Sequence, residues 1–281
     1  MREMFVFLVI CGVFGTSLAA NHALCGQQVT KVNDDSSHYV VGGVNANPQE
    51  FPWQVSLEYN SAEVGWYHTC GASVISDEWV LTAAHCVDRS LDGAMYRCVV
   101  GEHDRTKPEG KEAIINVIKV IQHPSWDTSK IVNDVALLKL SRPISFSGNE
   151  SHVRPVCLPD QQAVDNIVGT KCWATGWGHT QWQGQVAPIL QKVQVDITTQ
   201  SSCKSKYLFV TSITEAHICF GEQGKGTCQG DSGGPLNCQV GGKYYSYGAT
   251  SFGVQCAGSY PSVSARTSTF SAWIWQTVSQ N

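Results

Sequence analysis

Gly226-Thr-Cys-Gln-Gly-Asp-Ser-Gly-Gly-Pro235 is the run of residues around which the rest of the chain can be read. Ser232 stands between Asp231 and two glycines, with Cys228 four positions upstream. A serine hydroxyl is a poor nucleophile at its own pKa. It needs a base to take its proton and donors to hold the oxyanion that its attack creates. The flanking glycines permit a tight turn and the close approach of a substrate carbonyl. Successive N–H groups in such a turn form an anion-binding concavity, which nominates the N–H groups of Gly230 and Ser232 as oxyanion donors. A Gly-rich surface turn with an ordinary serine fits the run equally well, so the decision rests on partners elsewhere in the chain.

Two further runs supply them. In Trp79-Val-Leu-Thr-Ala-Ala-His-Cys86 the small Ala83 and Ala84 let the main chain pack closely just before His85, a candidate base. In Asn133-Asp-Val-Ala-Leu-Leu-Lys-Leu140 a continuous apolar stretch reads as a buried strand. Asp134 at its head is then desolvated and needs a donor. The imidazole N–H of His85 would satisfy it, fix the tautomer and stabilise the imidazolium.

The chain of 281 residues is long enough for a large core, and its net charge of −4 gives no basic face for nucleic acid. Twelve cysteines point to an oxidising compartment. Arg2, the apolar run Met4 to Phe14 and the small residues Thr16 to Ala20 read as a secretory leader cut near Ala19 or Ala20. Cys11 leaves with it, so one of the eleven remaining cysteines is unpaired within the chain. Short alternating segments such as Val55, Leu57, Tyr59 and Val193, Val195, Ile197 predict strands, as do Tyr96 to Gly101 and Ile114 to Ile121. Phe270, Trp273, Ile274, Thr277 and Val278 fall at helical spacing and predict one amphipathic helix over 267–278. Asn149-Glu-Ser151 is an N-glycosylation acceptor motif.

Together with Val40-Val-Gly-Gly43 and Phe51-Pro-Trp-Gln-Val-Ser-Leu57, these motifs resemble the chymotrypsin family of secreted serine endopeptidases, from Val40 to the C-terminus. The order His85, Asp134, Ser232 is that of chymotrypsin. The resemblance is nearest to chymotrypsin-like elastases and chymotrypsin C. It implies an all-β fold of two antiparallel six-stranded barrels with a C-terminal helix and the site between the barrels. It divides the chain into a leader (1–20), a pro-segment (21–39) that stands outside the core, and a protease domain (40–281). It also implies a zymogen, in which a cut before Val40 frees an ammonium that pairs with Asp231. Trypsin-like activators need Arg or Lys before the cut, and Tyr39 stands there instead. The expected activator therefore cuts after an aromatic residue, and this enzyme itself is one candidate.

The resemblance pairs Cys25 with Cys157, Cys70 with Cys86, Cys172 with Cys238, Cys203 with Cys219, and Cys228 with Cys256. Cys98 is left as a buried thiol. Gly226, Gly253 and Ser262 stand where the family builds its specificity pocket, and Ser251 where it lends backbone to the substrate. Gly226 carries no charge, which argues against Arg or Lys and for Leu, Met, Phe or Tyr before the scissile bond. No cofactor is expected for catalysis. The acidic loop from Glu102 to Glu112 either holds a structural calcium through those two carboxylates or is merely solvated. The implied enzyme is a secreted, extracellular monomer acting on polypeptide substrates and open to protein protease inhibitors, with no nucleic-acid or membrane partner. A protease-like binding protein that has lost catalysis is the competing reading.

Overall fold

The computed structural model describes residues 20–30, 43–161, 167–180 and 182–281. Tyr39, Val40 and all of the expected leader except Ala20 lie outside them. After a short β1 (Val44–Asn45), six strands follow: β2 (Gln54–Ser61), β3 (Gly65–Val74), β4 (Trp79–Thr82), β5 (Tyr96–Val100), β6 (Ala113–Gln122) and β7 (Ala136–Leu140). They pair antiparallel in the order β2-β3-β4-β7-β6-β5 and close on themselves. The second half supplies β8 (Lys171–Gly176), β9 (Gln191–Thr198), β10 (His217–Phe220), β11 (Pro235–Val240), β12 (Lys243–Phe252) and β13 (Ser262–Arg266). These run β9-β10-β13-β12-β11-β8, and pairing of β8 with β9 closes a second six-stranded barrel. The expected two barrels are therefore present, and closure leaves neither with a free edge. β1 adds to the outside of β9, Val44 opposite Lys192.

Alternation predicts the strands well where one face meets water. In β9, Val193, Val195 and Ile197 are buried while Gln194 and Asp196 are exposed. In β2 the pattern fails, because Gln54 and Ser56 are buried as completely as Val55 and Leu57. On the outer face of β2 Gln54 meets the second barrel and its carbonyl finds a partner there, while Ser56 Oγ lies 2.7 Å from His68 Nδ1 of β3. Thr175 Oγ1 donates to Gln54 Oε1 at 2.6 Å, and Trp53 Nε1 donates to Asn237 Oδ1 at 2.6 Å. Asn237 Nδ2 in turn donates to Thr175 Oγ1 at 3.0 Å. Such pairing is what makes buried polar groups tolerable.

The predicted C-terminal helix is α2 (Thr267–Gln280), after a shorter α1 (Gln200–Tyr207) capped by Thr199, whose hydroxyl accepts the Ser202 N–H. Phe270 and Ile274 of α2 are buried in the first barrel's core cluster, with Trp273 and Val278 packed at its margin. Five disulfides join Cys25–Cys157, Cys70–Cys86, Cys172–Cys238, Cys203–Cys219 and Cys228–Cys256. Cys98 in β5 is free and fully buried, a small apolar side chain in the barrel wall.

Residues 21–39 read in sequence as lying outside the core, and the structure corrects this for part of them. Cys25 is buried, and Gly26 is woven into the second barrel. The Gly26 N–H donates to Pro155 O, and its carbonyl accepts the Tyr244 N–H. A polar composition hides this, because backbone hydrogen bonds and one disulfide hold the segment in place of apolar side chains.

Candidate active site

β4 ends at Thr82, and the chain turns through a single 3-10 turn, Ala84–Val87, that carries His85. The Cys70–Cys86 bridge pins that turn to β3. Asp134 sits just before β7 and is almost wholly buried. The two meet in a double contact: the His85 main-chain N–H donates to Asp134 Oδ1 at 2.9 Å, and Nδ1 lies 2.7 Å from Oδ2. A carboxylate on Nδ1 selects the tautomer with Nδ1–H, which leaves the Nε2 lone pair free. Burial opposes a charged imidazole, but the hydrogen bond and charge of Asp134, with help from Asp88, outweigh it and leave His85 above its ordinary pKa. Burial likewise penalises the Asp134 carboxylate; His85 and Ser251 more than offset this and hold it below its ordinary range.

The part played by the Ser251 side chain was not legible in the sequence. Its hydroxyl donates to Asp134 Oδ2 at 2.5 Å. The reason is local: the β12–β13 register shifts between Thr250 and Phe252, and a bulge re-aims the residue it displaces. Asp134 thus accepts three hydrogen bonds, two from His85 and one from Ser251.

Ser232 comes from the second barrel, on the turn before β11, and its carbonyl accepts the Gly71 N–H of β3 at 2.8 Å. The turn requires glycine. Gly230 has φ +97°, and Gly233 has φ +76° with Thr82 Oγ1 standing 2.1 Å from where a Cβ would lie. Among the described residues no hydrogen bond engages the Ser232 hydroxyl, or the N–H groups of Gly230 and Ser232. These groups are free for an incoming carbonyl, and catalytic hydrogen bonds commonly tighten only when substrate binds. His68, which belongs to no motif, supports the turn: its Nε2 lies 3.2 Å from Gly230 O and its Nδ1 2.7 Å from Ser56 Oγ. Burial, aided by Arg105, drives its pKa down to about 4, so it stays neutral.

Asp231 points away from Ser232 into the protein. Its carboxylate accepts N–H groups from Gly178 at 2.8 Å and Cys228 at 2.9 Å. Burial pushes its pKa up to about 6 against those two bonds. It lines a small cavity shared with Gly176, Lys192 and Gly226.

A larger open cavity of about 180 Å³ adjoins Ser232, with Ser251, Gly253, Ala257 and Ser262 in its wall. Gly253 is exposed at the mouth, and a Cβ there would meet only Ser262 Cα, at 3.9 Å. Ser262 Oγ accepts the Thr227 N–H at 3.0 Å. It stands 2.8 Å from where a Cβ on Gly226 would lie, so Gly226 sits behind this wall, while itself lining the cavity of Asp231.

The acidic loop engages its carboxylates with groups of its own. Glu112 turns its carboxylate onto the N–H groups of Glu109, Gly110 and Lys111. Glu109 is taken by His103 at 2.8 Å, and Glu102 accepts the His103 N–H at 2.9 Å. Burial and the nearby Glu112 raise the Glu102 pKa. Among the described residues one cluster has metal-ligand spacing, Cys70, His85 and Cys86, and its two cysteines are bridged and offer no thiolate.

The trypsin family model matches residues 40–274. The chain belongs to the trypsin family. It is 38% identical over 248 residues to chymotrypsin-like elastase family member 1 of Canis lupus familiaris, covering 86% of this chain and 93% of that protein. The Bos taurus protein of the same name is 36% identical over 248 residues, with 86% and 90% covered. The Macaca fascicularis protein is 36% identical over 275 residues, with 96% and 98% covered. The chain is accordingly a serine endopeptidase of the chymotrypsin and elastase kind, a hydrolase of polypeptides. Proteases of this family need no cofactor for catalysis. Among the described residues no helix is long and apolar enough to cross a membrane.

Proposed function

We propose that the chain is a secreted endopeptidase made as a zymogen, acting as a monomer outside the cell and cleaving after medium to large apolar residues: Leu, Met, Phe or Tyr. Ser232 is the nucleophile, His85 the general base and acid, and Asp134 the group that orients and stabilises the imidazolium. The observation that carries this reading is the chain of hydrogen bonds from Ser251 to Asp134 to His85, beside an open cavity walled by Ser232.

His85 Nε2 takes the Ser232 proton as Oγ attacks the peptide carbonyl. The N–H groups of Gly230 and Ser232 hold the oxyanion. His85 then protonates the leaving amine, and water, activated in the same way, hydrolyses the acyl-enzyme. Preference for an apolar residue is supported by a cavity lining without a charged side chain, by the uncharged Gly226 behind Ser262, and by the open Gly253 at the mouth. A cut before Val40 frees an ammonium for Asp231. The buried carboxylate has two N–H donors and no ion-pair partner among the described residues, and burial pushes its pKa up to about 6. Protein protease inhibitors that present an apolar residue to the cavity are expected partners.

The test is a cleavage-site map. A proenzyme carrying Tyr39→Arg is cut with trypsin, which leaves the mature chain unaltered from Val40 onward. It then digests a defined peptide mixture beside a Ser232→Ala control. Cleavage after Leu, Met, Phe or Tyr, absent in the control, is expected. Cleavage after Arg or Lys would overturn the pocket reading, and no cleavage with Val40 exposed would leave a binding protein built on a protease fold.

A further inference from the structure

His217 opens β10 and is only 1% exposed, yet it belongs to no sequence motif. It reaches from the second barrel to the first. Its Nε2 lies 2.9 Å from the carbonyl oxygen of Ile131, three residues before Asp134. We propose that His217 is a positioning residue for peptide hydrolysis: its imidazole holds in place the loop that presents Asp134 to His85. This rests on the triad reading above and adds a residue that acts through it.

The hydrogen bonds fix the tautomer. The Thr214 N–H donates to His217 Nδ1 at 3.0 Å, and a backbone N–H can only donate. Nδ1 is therefore an acceptor, the ring proton sits on Nε2, and Nε2–H donates to Ile131 O. The same turn closes a second time where the His217 N–H donates to Thr214 O at 3.1 Å. Backbone and ring are both held, so the Nε2–H has one direction in which to point. Burial lowers the His217 pKa and keeps the ring neutral, against the pull of the Ile131 carbonyl and of Asp134. Arg266 of β13, which donates to the His217 carbonyl from Nε at 3.2 Å and Nη2 at 3.0 Å, adds to the lowering. A protonated ring would turn a second N–H against that of Thr214.

The loop needs such a hold. Ile131 and Asn133 have φ of +52° and +59°, in the left-handed region. For a β-branched residue that conformation is strained, and it persists only where surrounding contacts enforce it. From the first barrel, Asp127 and Val132 exchange backbone hydrogen bonds at 3.1 and 3.3 Å, and Asn133 Nδ2 donates to Ser125 O at 2.8 Å. From the second barrel, His217 holds the Ile131 carbonyl itself. Released, Ile131 would relax toward negative φ and carry Asp134 with it.

The same ring reaches the other side of Asp134. It packs edge-on against Phe252, with ring centres 5.8 Å apart and planes at 81°. Phe252 lines the cavity beside Ser232 and directly follows Ser251, whose hydroxyl donates to Asp134. One imidazole thus touches the loop that carries Asp134 and the neighbour of the serine that steadies it.

The experiment uses the full chain, activated from the Tyr39→Arg proenzyme by trypsin, beside a Ser232→Ala control. Two substitutions separate the donor from its bulk. His217→Gln places an amide N–H where Nε2–H stands, and His217→Met fills the space with no donor. On a short peptide with Phe before the scissile bond, His217→Met should lower kcat by about 10- to 100-fold, the cost of a small displacement of a catalytic group. KM should hold, because methionine still supports Phe252. His217→Gln should keep most of kcat. In the Met variant the acid limb of the pH–rate profile should move to lower pH, because contact with Asp134 is what raises the His85 pKa. Urea denaturation separates these effects from lost stability. If the Met variant does not fold, 15N NMR of the Ser232→Ala chain reads the ring directly. His217 should be the neutral Nε2–H tautomer across the pH range of activity, and an Nδ1–H tautomer overturns the proposal. So does a Met variant with the parent's kcat and acid limb, a rise in KM with kcat unchanged, or an equal loss of kcat in the Gln variant. Each of these leaves the endopeptidase reading standing. A parent enzyme inert on every peptide, with Val40 exposed, overturns both.

Discussion

Asp231→Asn in the uncut chain should be nearly neutral to stability at pH 4 and stabilising at pH 8. The Asp231 pKa is pushed up to about 6 by burial, against an ordinary value near 4, and a difference of about two units corresponds to about 3 kcal/mol. The folded state holds this proton more tightly than the unfolded one. Its stabilising effect is therefore complete below about pH 4 and lost as pH rises through about 6. Asparagine removes that decline. The carboxylate accepts from both Gly178 and Cys228; the neutral acid turns its O–H toward one of those donors, and an amide turns its NH2 the same way. At pH 4 the two chains should therefore be about equally stable, and at pH 8 the variant should be more stable by up to about 3 kcal/mol. Urea denaturation of both chains in a Ser232→Ala background, which prevents self-digestion, measures this. An equal effect at both pH values would refute the claim that a buried, cation-free carboxylate strains the uncut chain. Once Val40 is freed, the same substitution should abolish activity, because the ammonium then has no anion to meet.

Other expectations follow from single contacts. Ser251→Ala removes a donor from Asp134 at 2.5 Å; kcat should fall about tenfold, the worth of a bond to a charged group. The less compensated carboxylate should move the acid limb of the pH–rate profile upward. Lys192→Met strands Glu50, its partner at 2.6 Å with the two side chains only 7% and 5% exposed, and should cost about 3–5 kcal/mol in urea denaturation. Glu50→Leu with Lys192→Met should recover most of that loss. Cys98 is fully buried, and burial pushes its thiol pKa up. It should resist iodoacetamide in the folded chain and react at once in guanidinium.

The sequence was most informative where chemistry and backbone coincide. The glycines around Ser232, the alanines before His85 and the apolar run after Asp134 each restrict the local structure so far that few other arrangements remain. Closure of the barrels was not visible in any one strand, because strand pairing joins residues far apart, as it joins β8 to β11 and β10 to β13. It came from the family resemblance. Two features escaped for different reasons. The Ser251 hydroxyl reaches Asp134 because of a bulge, a change in strand register that no composition signals. The loop from Glu102 to Glu112 carries oxygen donors of the kind calcium takes, yet its carboxylates are satisfied by nearby N–H groups and His103, and sequence cannot choose between two such partners.

The position of the site follows from the joint between the barrels. His85 and Asp134 belong to the first, Ser232 and the specificity cavity to the second. Neither barrel alone holds both the proposed base and the proposed nucleophile. Their alignment depends on contacts that cross the joint: Gly71 N–H to Ser232 O, His68 to Gly230 O, and Ser251 to Asp134. Each ties one barrel to a catalytic group of the other, and the hydrogen bonds among Gln54, Thr175 and Asn237 fix the same two surfaces behind them. Asp231 belongs to the same joint, since its neighbour Ser232 carries one of these bonds. On the activation proposed above, charge added to the Asp231 cavity would act on a turn that both barrels hold, and a cut far along the chain from Ser232 would bear on the proposed oxyanion donors.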